Sequence, residues 1–204
     1  YAQNGDGIDV ESCHNVEIYN STFETGDDAI CIKSGKNAEA RTFEDPCENL
    51  YIHDCIVNEG HGGFVIGSEM SRDVKNILVE NCTFAGTDVG IRIKSAMGRG
   101  GVVEDITIRN INMIDIKNEA VILTMGYVLN LLDKNETIAQ VDESDVPYFK
   151  NILIEQIECN GCDTAVKIEP ISGRENTISD ITIKDSVFAA NKENVINGEN
   201  IVII

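Results

Sequence analysis

A six-residue phrase recurs along this 204-residue chain, and it restricts the fold more than any other feature. It reads Asn15-Val-Glu-Ile-Tyr-Asn20, Asn49-Leu-Tyr-Ile-His-Asp54 and Asn76-Ile-Leu-Val-Glu-Asn81. It returns as Asp105-Ile-Thr-Ile-Arg-Asn110, Asn151-Ile-Leu-Ile-Glu-Gln156 and Asp180-Ile-Thr-Ile-Lys-Asp185. Each copy opens on Asn or Asp, alternates apolar with polar residues, and closes on Asn, Asp or Gln. Alternation of period two puts every second side chain on one buried face, which marks a strand.

A second strand follows each phrase at a short distance. Its copies are Ile8-Asp-Val10, Ile30-Cys-Ile32, Phe64-Val-Ile66, Ile91-Arg-Ile93, Ala120-Val-Ile122 and Val166-Lys-Ile168. Their starts are 22, 34, 27, 29 and 46 residues apart, and the two long gaps hold the insertions Ser34 to Pro46 and Met125 to Val146, both expected as loops. The remaining connections are short and rich in Gly, Asn, Asp and Ser, which leaves no room for helices. Two short parallel strands per coil, stacked coil upon coil, describe an all-β parallel β-helix. The closing residues Asn20, Asp54, Asn81, Asn110, Gln156 and Asp185 are expected to stack as a polar ladder. That role takes precedence over the glycosylation sequences that Asn20-Ser-Thr22 and Asn81-Cys-Thr83 formally match.

The chain opens on the second strand of a coil and stops at Ile201-Val-Ile-Ile204 with no polar cap. Solenoids need capping, so residues 1–204 are expected to be part of one β-helix catalytic domain, with N-terminal coils and a terminal cap missing.

Composition narrows the function. With 16 basic and 35 acidic residues the net charge is −19, which argues against nucleic acid and anionic membrane surfaces as partners. No apolar run approaches the ~20 residues that cross a bilayer. Seven cysteines are too few for a disulfide scaffold and read as small fillers of the stacked core. Cys159-Asn-Gly-Cys162 has CxxC spacing but no second pair to complete a metal site.

Exceptions to the repeat locate the chemistry. Counting back from the second strand, Asp6 aligns with Asp28 and Gly62, and Asp27 aligns with His61. Rungs lie ~4.8 Å apart, so these four residues gather at one corner of neighbouring coils. Three carboxylates so close cannot all ionise independently, and one is expected to hold a proton. An acid and a base side by side are what glycoside hydrolysis needs. Glycines flank the cluster (Gly5, Gly7, Gly26, and Gly60 to Gly63 around His61) and are expected to leave a floor that a ligand can approach. One rung further, Arg92 and Lys94 project to the same side of a strand. They supply local positive charge in an acidic protein, suited to a carboxylate-bearing ligand. His14 and His53 are read as structural.

The segments Asn4-Gly-Asp-Gly-Ile-Asp9, Gly26-Asp-Asp28, Gly60-His-Gly62 and Arg92-Ile-Lys94 resemble, in order, the four signature motifs of glycoside hydrolase family 28, the polygalacturonases. The resemblance implies a right-handed β-helix of the pectin-lyase-like kind and inverting hydrolysis of α-1,4-galacturonosidic bonds. The partner implied is a galacturonan oligo- or polysaccharide, and no cofactor or metal is implied. By position Asp27 matches the general acid, Asp6 and Asp28 the pair that activates water, and His61 the residue that tunes the acid. Arg92 and Lys94 match the binders of the galacturonate carboxylate, and Tyr127 a tyrosine that lines the subsite. Gly5 stands where the family usually has Thr.

Likeness to bacterial members leans the reading towards exo action. The substrate class favours a secreted or periplasmic enzyme over a cytoplasmic enzyme of oligogalacturonides. Three rivals share the solenoid: a rhamnogalacturonan hydrolase, a Ca²⁺-dependent pectate lyase and a non-catalytic carbohydrate-binding β-helix. His61, Arg92 and Lys94 speak against the first, and the meeting of Asp6, Asp27, Asp28 and His61 against the last.

Overall fold

The computed structural model describes residues 3–43, 45–127 and 142–204. Most of the insertion Met125 to Val146 lies outside the described residues. The chain forms β1 (Ile8–Glu11), β2 (His14–Tyr19), β3 (Thr22–Phe23), β4 (Ile30–Lys33), a single helical turn α1 (Asn37–Ala40), β5 (Cys47–His53) and β6 (Ile56–Ile66). The long strands β7 (Val74–Lys94) and β8 (Val102–Ile114) follow, then β9 (Glu119–Thr124) and β10 (Tyr148–Glu169). The chain closes with β11 (Ile178–Lys184), β12 (Val187–Lys192), β13 (Val195–Ile196) and β14 (Glu199–Ile203). Every pairing between these strands is parallel, and the architecture is a right-handed parallel β-helix.

The six-residue phrases stack in the register their alignment requires. Val16 pairs with Leu50, Leu50 with Ile77, Ile77 with Ile106, and Ile106 with Ile152, which in turn meets Ile181. The second strands stack as Ile8, Ile30, Phe64 and Ile91. At the next rung the register differs by one residue from the sequence expectation. Ile91 pairs with Val121, so Val121-Ile-Leu123 occupies the place expected for Ala120-Val-Ile122. All residues from Ala120 to Leu123 are buried, so no polar alternation fixes the phase there.

Each coil also has a third strand that the two-strand reading omits. Thr22–Phe23 pairs with Ile56–Val57, and Ile56 to Asn58 pairs with Thr83 to Ala85, which pairs on with Asn112 to Ile114. The third strand follows the first after a single corner residue, so the two read as one run. Those corners are the closing residues of the phrase: Asn20, Asp54, Asn81, Asn110, Gln156 and Asp185 all have φ between +48° and +56°. Asn and Asp tolerate this left-handed conformation better than other side chains, which accounts for their recurrence. The opening residues Asn15, Asn49, Asn76, Asp105, Asn151 and Asp180 are left-handed as well.

A polar ladder forms, but mostly on the opening column and not on the closing column where the sequence places it, because the closing residues serve chiefly as left-handed corners. Asn76 Nδ2 donates to Asn49 Oδ1 at 2.6 Å, Asn151 to Asp105, and Asn200 to Asp180 at 2.5 Å. On the closing column Asn110 Nδ2 donates to Asn81 Oδ1 at 2.7 Å.

Inside, like residues stack upon like. Ile30, Phe64, Ile91 and Val121 form one fully buried column, and Val57, Phe84 and Met113 form another. Burial of each such side chain contributes roughly 1.5–3 kcal/mol. Cys31, Cys47, Cys55, Cys82, Cys159 and Cys162 are buried free thiols, in line with their reading as core fillers. Burial pushes the Cys47 thiol up to about 11 and the Cys82 thiol up to about 12, which makes both inert.

Candidate active site

Parallel pairing in strict register carries Asp6, Asp28 and Lys94 to one corner of the solenoid. Asp6 and Asp28 sit two residues before their strands, and Gly7 N–H donates to Asp28 O at 2.9 Å across the rung. The amides of Asp27 and His61 continue the ladder through Gly5 O and Asp27 O. Asp6, Asp27 and Asp28 come together so that an oxygen of each lies within 4.8 Å of the others. They line a cavity of about 210 Å³ with Lys33, Lys94 and Tyr127.

The three carboxylates do not share one environment. Lys94 Nζ donates to Asp28 Oδ2 at 2.6 Å, and both side chains are buried. Lys33 Nζ donates to Asp6 Oδ2 at 2.9 Å and meets Asp9 Oδ1 at 2.7 Å. Burial opposes the charge of Lys33, but the hydrogen bonds with Asp9 and Asp6 outweigh it and hold the ammonium above the ordinary lysine range. Asp27 accepts the Asp28 backbone N–H at 3.0 Å through Oδ1, and among the described residues no cation pairs with it. The crowding of carboxylates expected from sequence is therefore offset by two ammonium groups set among them. Asp6 and Asp28 thus each have a lysine partner, and Asp27 has none among the described residues. The trio is close enough to chelate a cation, but Lys33 and Lys94 already supply the positive charge there.

Asp28 Oδ1 is buried with no hydrogen-bond partner, so a strong acceptor at the cavity wall has no protein donor. A Cβ on Gly62 would lie 2.9 Å from this oxygen and 2.4 Å from Val65 Cγ2. On Gly63 it would lie 2.6 Å from Phe84 Cγ. The glycines at this corner let adjacent rungs close on one another, which corrects the expectation that they leave a floor open to ligand.

His61 and Arg92 stand beside the cavity and do not line it. His61 Nδ1 lies 2.9 Å from Asp88 Oδ2, one rung on in the same column, and Asp88 also accepts from Lys117 at 2.9 Å. Arg92 Nη1 is buried without a partner, and the Arg92 guanidinium lies 5.9 Å from the Tyr127 ring centroid. Lys94 Nζ is 5.1 Å from the same centroid, so Tyr127 joins the two cations that sequence placed here. His14 contacts Pro46 O at 2.8 Å, and His53 stacks on Tyr51 with ring centroids 4.1 Å apart. Neither lines the cavity of Asp6, Asp27 and Asp28, and His53 pairs instead with Asp54 and Glu17.

Sequence alone gives no role to Lys33, Asp88 or Arg99. The repeat places Lys33 in the column of Lys94 without showing its partners, and the alignment of Asp88 with His61 is the signal for Asp88. Arg99 is fully buried and forms part of the cavity wall. Its guanidinium donates to Asn37 Oδ1 at 2.6 Å, Ser68 Oγ at 3.2 Å and Glu69 Oε1 at 3.0 Å. From the insertion, Arg41 Nη1 donates back to Arg99 O at 2.8 Å and pairs with Asp145. The segment Ser34 to Pro46 is thereby fastened to the rim of the site by two arginines. Only the flanking run Gly98-Arg-Gly-Gly101 hints at this in sequence.

The chain as a whole is similar to known proteins. Residues 1–200 match the model of glycosyl hydrolases family 28. The chain is 32% identical over 175 residues to an exo-poly-alpha-D-galacturonosidase of Dickeya chrysanthemi, covering 85% of this chain and 29% of that protein. It is 36% identical over 152 residues to an endo-polygalacturonase of Pectobacterium carotovorum subsp. carotovorum, covering 74% and 34%. The crystal structure of a hyperthermoactive exopolygalacturonase from Thermotoga maritima superposes with a TM-score of 0.84 at 29% identity, over 97% of this chain and 44% of that one. The chain thus spans about a third of the length of these two curated relatives. A β-helix with its acids gathered at one corner, matched over almost its whole length by one family model, identifies this chain as a member of glycosyl hydrolases family 28.

Proposed function

We propose that this chain carries the catalytic centre of an enzyme that hydrolyses α-1,4-galacturonosidic bonds in polygalacturonate or its oligomers. The observation that carries the reading is the unequal pairing of three neighbouring carboxylates: two hold lysine partners and the third holds none. Asp27, the one of the three without a lysine partner, is the general acid that protonates the leaving oxygen. Asp6 and Asp28 are the bases that take the proton of the attacking water, and Asp28 Oδ1 is an acceptor with no competing protein donor. His61, held by Asp88, stands behind the acid. Arg92, with an unpartnered Nη1, grips the uronate carboxylate. Lys94 spends one of its three N–H donors on Asp28 and offers the others to the same ring, beside Tyr127. Cations at the cavity reconcile an acidic protein with an acidic substrate.

The stereochemical course is inversion, as the family resemblance implies. Inverting enzymes with two carboxylates usually hold them ~6.5–9.5 Å apart to admit a water. Here nearest oxygens fall within 4.8 Å, and a third carboxylate changes the requirement, since Asp6 and Asp28 can hold the water between themselves.

Exo action is favoured by the exo-acting relatives and by the insertion fastened to the rim. The test is to incubate the full-length protein with oligogalacturonate and separate the early products. Galacturonate monomer alone is expected. A ladder of oligomers would overturn exo action, and unsaturated uronides absorbing in the ultraviolet would overturn hydrolysis.

A further inference from the structure

We propose that Lys33 is a positioning residue of this site, holding Asp6 as the charged base through an ion-pair chain anchored on Asp9. Lys33 ends β4, and Asp9 lies one rung away on β1, paired in register with Cys31. The Lys33 ammonium reaches Asp9 Oδ1 at 2.7 Å and Asp6 Oδ2 at 2.9 Å, so it is tied at two points rather than free to swing. The Asp6 side chain is about four-fifths buried and that of Asp9 nearly half exposed. Asp9 is therefore the solvated end of the chain and Asp6 the end that faces the cavity. With Oδ2 occupied, Asp6 has Oδ1 left for the water. The arrangement repeats, with one more member, the logic by which Lys94 holds Asp28.

The charged and titratable groups about Asp6 are Asp9 on its own coil, Asp27 and Asp28 before β4, Cys31 and Lys33 on β4, and Lys94 on β7; Lys36, Glu69, Arg99 and Tyr127 complete the cavity wall. The Cys31 thiol is neutral, because burial and then the charge of Asp28 push it well above the ordinary thiol range. Lys33 and Lys94 are the two ammonium groups bonded to these carboxylates, with Lys36 and Arg99 also on the cavity wall. Removing Lys33 leaves Asp6 beside Asp9, Asp27 and Asp28 with no ion-pair partner of its own, which favours its protonated and non-basic form.

This role presupposes the hydrolase reading, and the test separates the two. Kinetics of the full-length protein on trigalacturonate are measured across pH for wild type, Lys33→Met and Lys33→Arg. Lys33→Met is expected to lower kcat about tenfold or more and to leave KM within about twofold. It is also expected to move the acid limb of the kcat profile upward by about one pH unit. Lys33→Arg keeps the charge and is expected to restore the limb. A Lys33→Met enzyme with an unmoved limb, at full or reduced kcat, would overturn the role, because a structural residue lowers activity at every pH alike. If Lys33→Met does not fold, Lys33→Gln, which keeps a polar side chain without the charge, carries the test. It is expected to move the limb the same way, and an unmoved limb would overturn the role. A wild-type protein that releases no reducing ends would instead sink the hydrolase reading.

Discussion

Lys94 Nζ and Asp28 Oδ2 meet at 2.6 Å in a pocket that leaves both side chains less than a tenth exposed. These residues stand 66 positions apart in the chain, and only the stacked rungs bring them together. A buried pair is costly to break from one side, since the survivor keeps a charge with no partner.

Lys94→Met is therefore expected to destabilise the fold by about 3–5 kcal/mol. The double variant with Asp28→Asn is expected to recover a large part of that loss. Urea unfolding of the two single variants and the double variant measures the coupling. Additive losses would show that the two groups act independently.

Asp28→Asn alone is expected to abolish turnover, because the amide fills the same space with a far weaker base, and to keep the architecture at a cost in stability, since Lys94 is left buried without its counter-charge. Circular dichroism together with a reducing-sugar assay checks both halves of this expectation. A variant with activity near that of wild type would remove Asp28 from the mechanism.

Inversion at an α-linkage releases the β-anomer first. Proton NMR during the first minutes of hydrolysis, before mutarotation equilibrates the product, should show β-galacturonate ahead of α. The α-anomer appearing first would mean a covalent intermediate, and the close spacing of the carboxylates would then be its structural reason.

Gly62→Ala places a methyl 2.4 Å from Val65 Cγ2 and 2.9 Å from Asp28 Oδ1. Overpacking of this kind costs about 1–3 kcal/mol. Displacement of Asp28 is expected to lower the rate about a hundredfold, as for a misplacement of ~1 Å. Thermal unfolding and kcat of the variant test the two effects separately.

Burial acts to raise the Asp88 carboxyl, yet Lys117 and His61 outweigh it and hold the group below the ordinary 3.8. A carboxyl depressed in the folded state adds stability that is fully present above its unfolded value. That stability is lost as the pH falls through the folded value. The stability difference between wild type and Asp88→Asn should thus be constant well above pH 3.8 and close below it. A difference that persists unchanged into stronger acid would mean that Asp88 stabilises by packing alone.

Much of this molecule is legible in its sequence because a parallel solenoid converts alignment directly into contact. The register of Val16, Leu50, Ile77 and Ile106 follows from the repeat, as does the meeting of Asp6 with Asp28. The reading failed where the pattern carried no phase. Ala120 to Leu123 is apolar on both faces, and the third strand hides behind a single left-handed Asn or Asp. It also failed where a side chain is long. The partners of Lys33, Arg41 and Arg99 depend on where an ammonium or guanidinium ends, and column position does not give that. Tyr127 is named by the family resemblance and not by the repeat, and the fold brings it over Arg92 and Lys94.

The parallel register has a consequence for how such a site can change. Asp6 and Asp28 belong to coils whose second strands start 22 residues apart, and the next coil needs 34, yet each step advances the same ~4.8 Å along the axis. Surplus residues leave the coil sideways as rim, as Ser34 to Pro46 does, without moving the carboxylates. Chain length and carboxylate spacing are thus decoupled. Insertions and deletions in the turns can remodel access to the acids while the distances among the acids stay fixed.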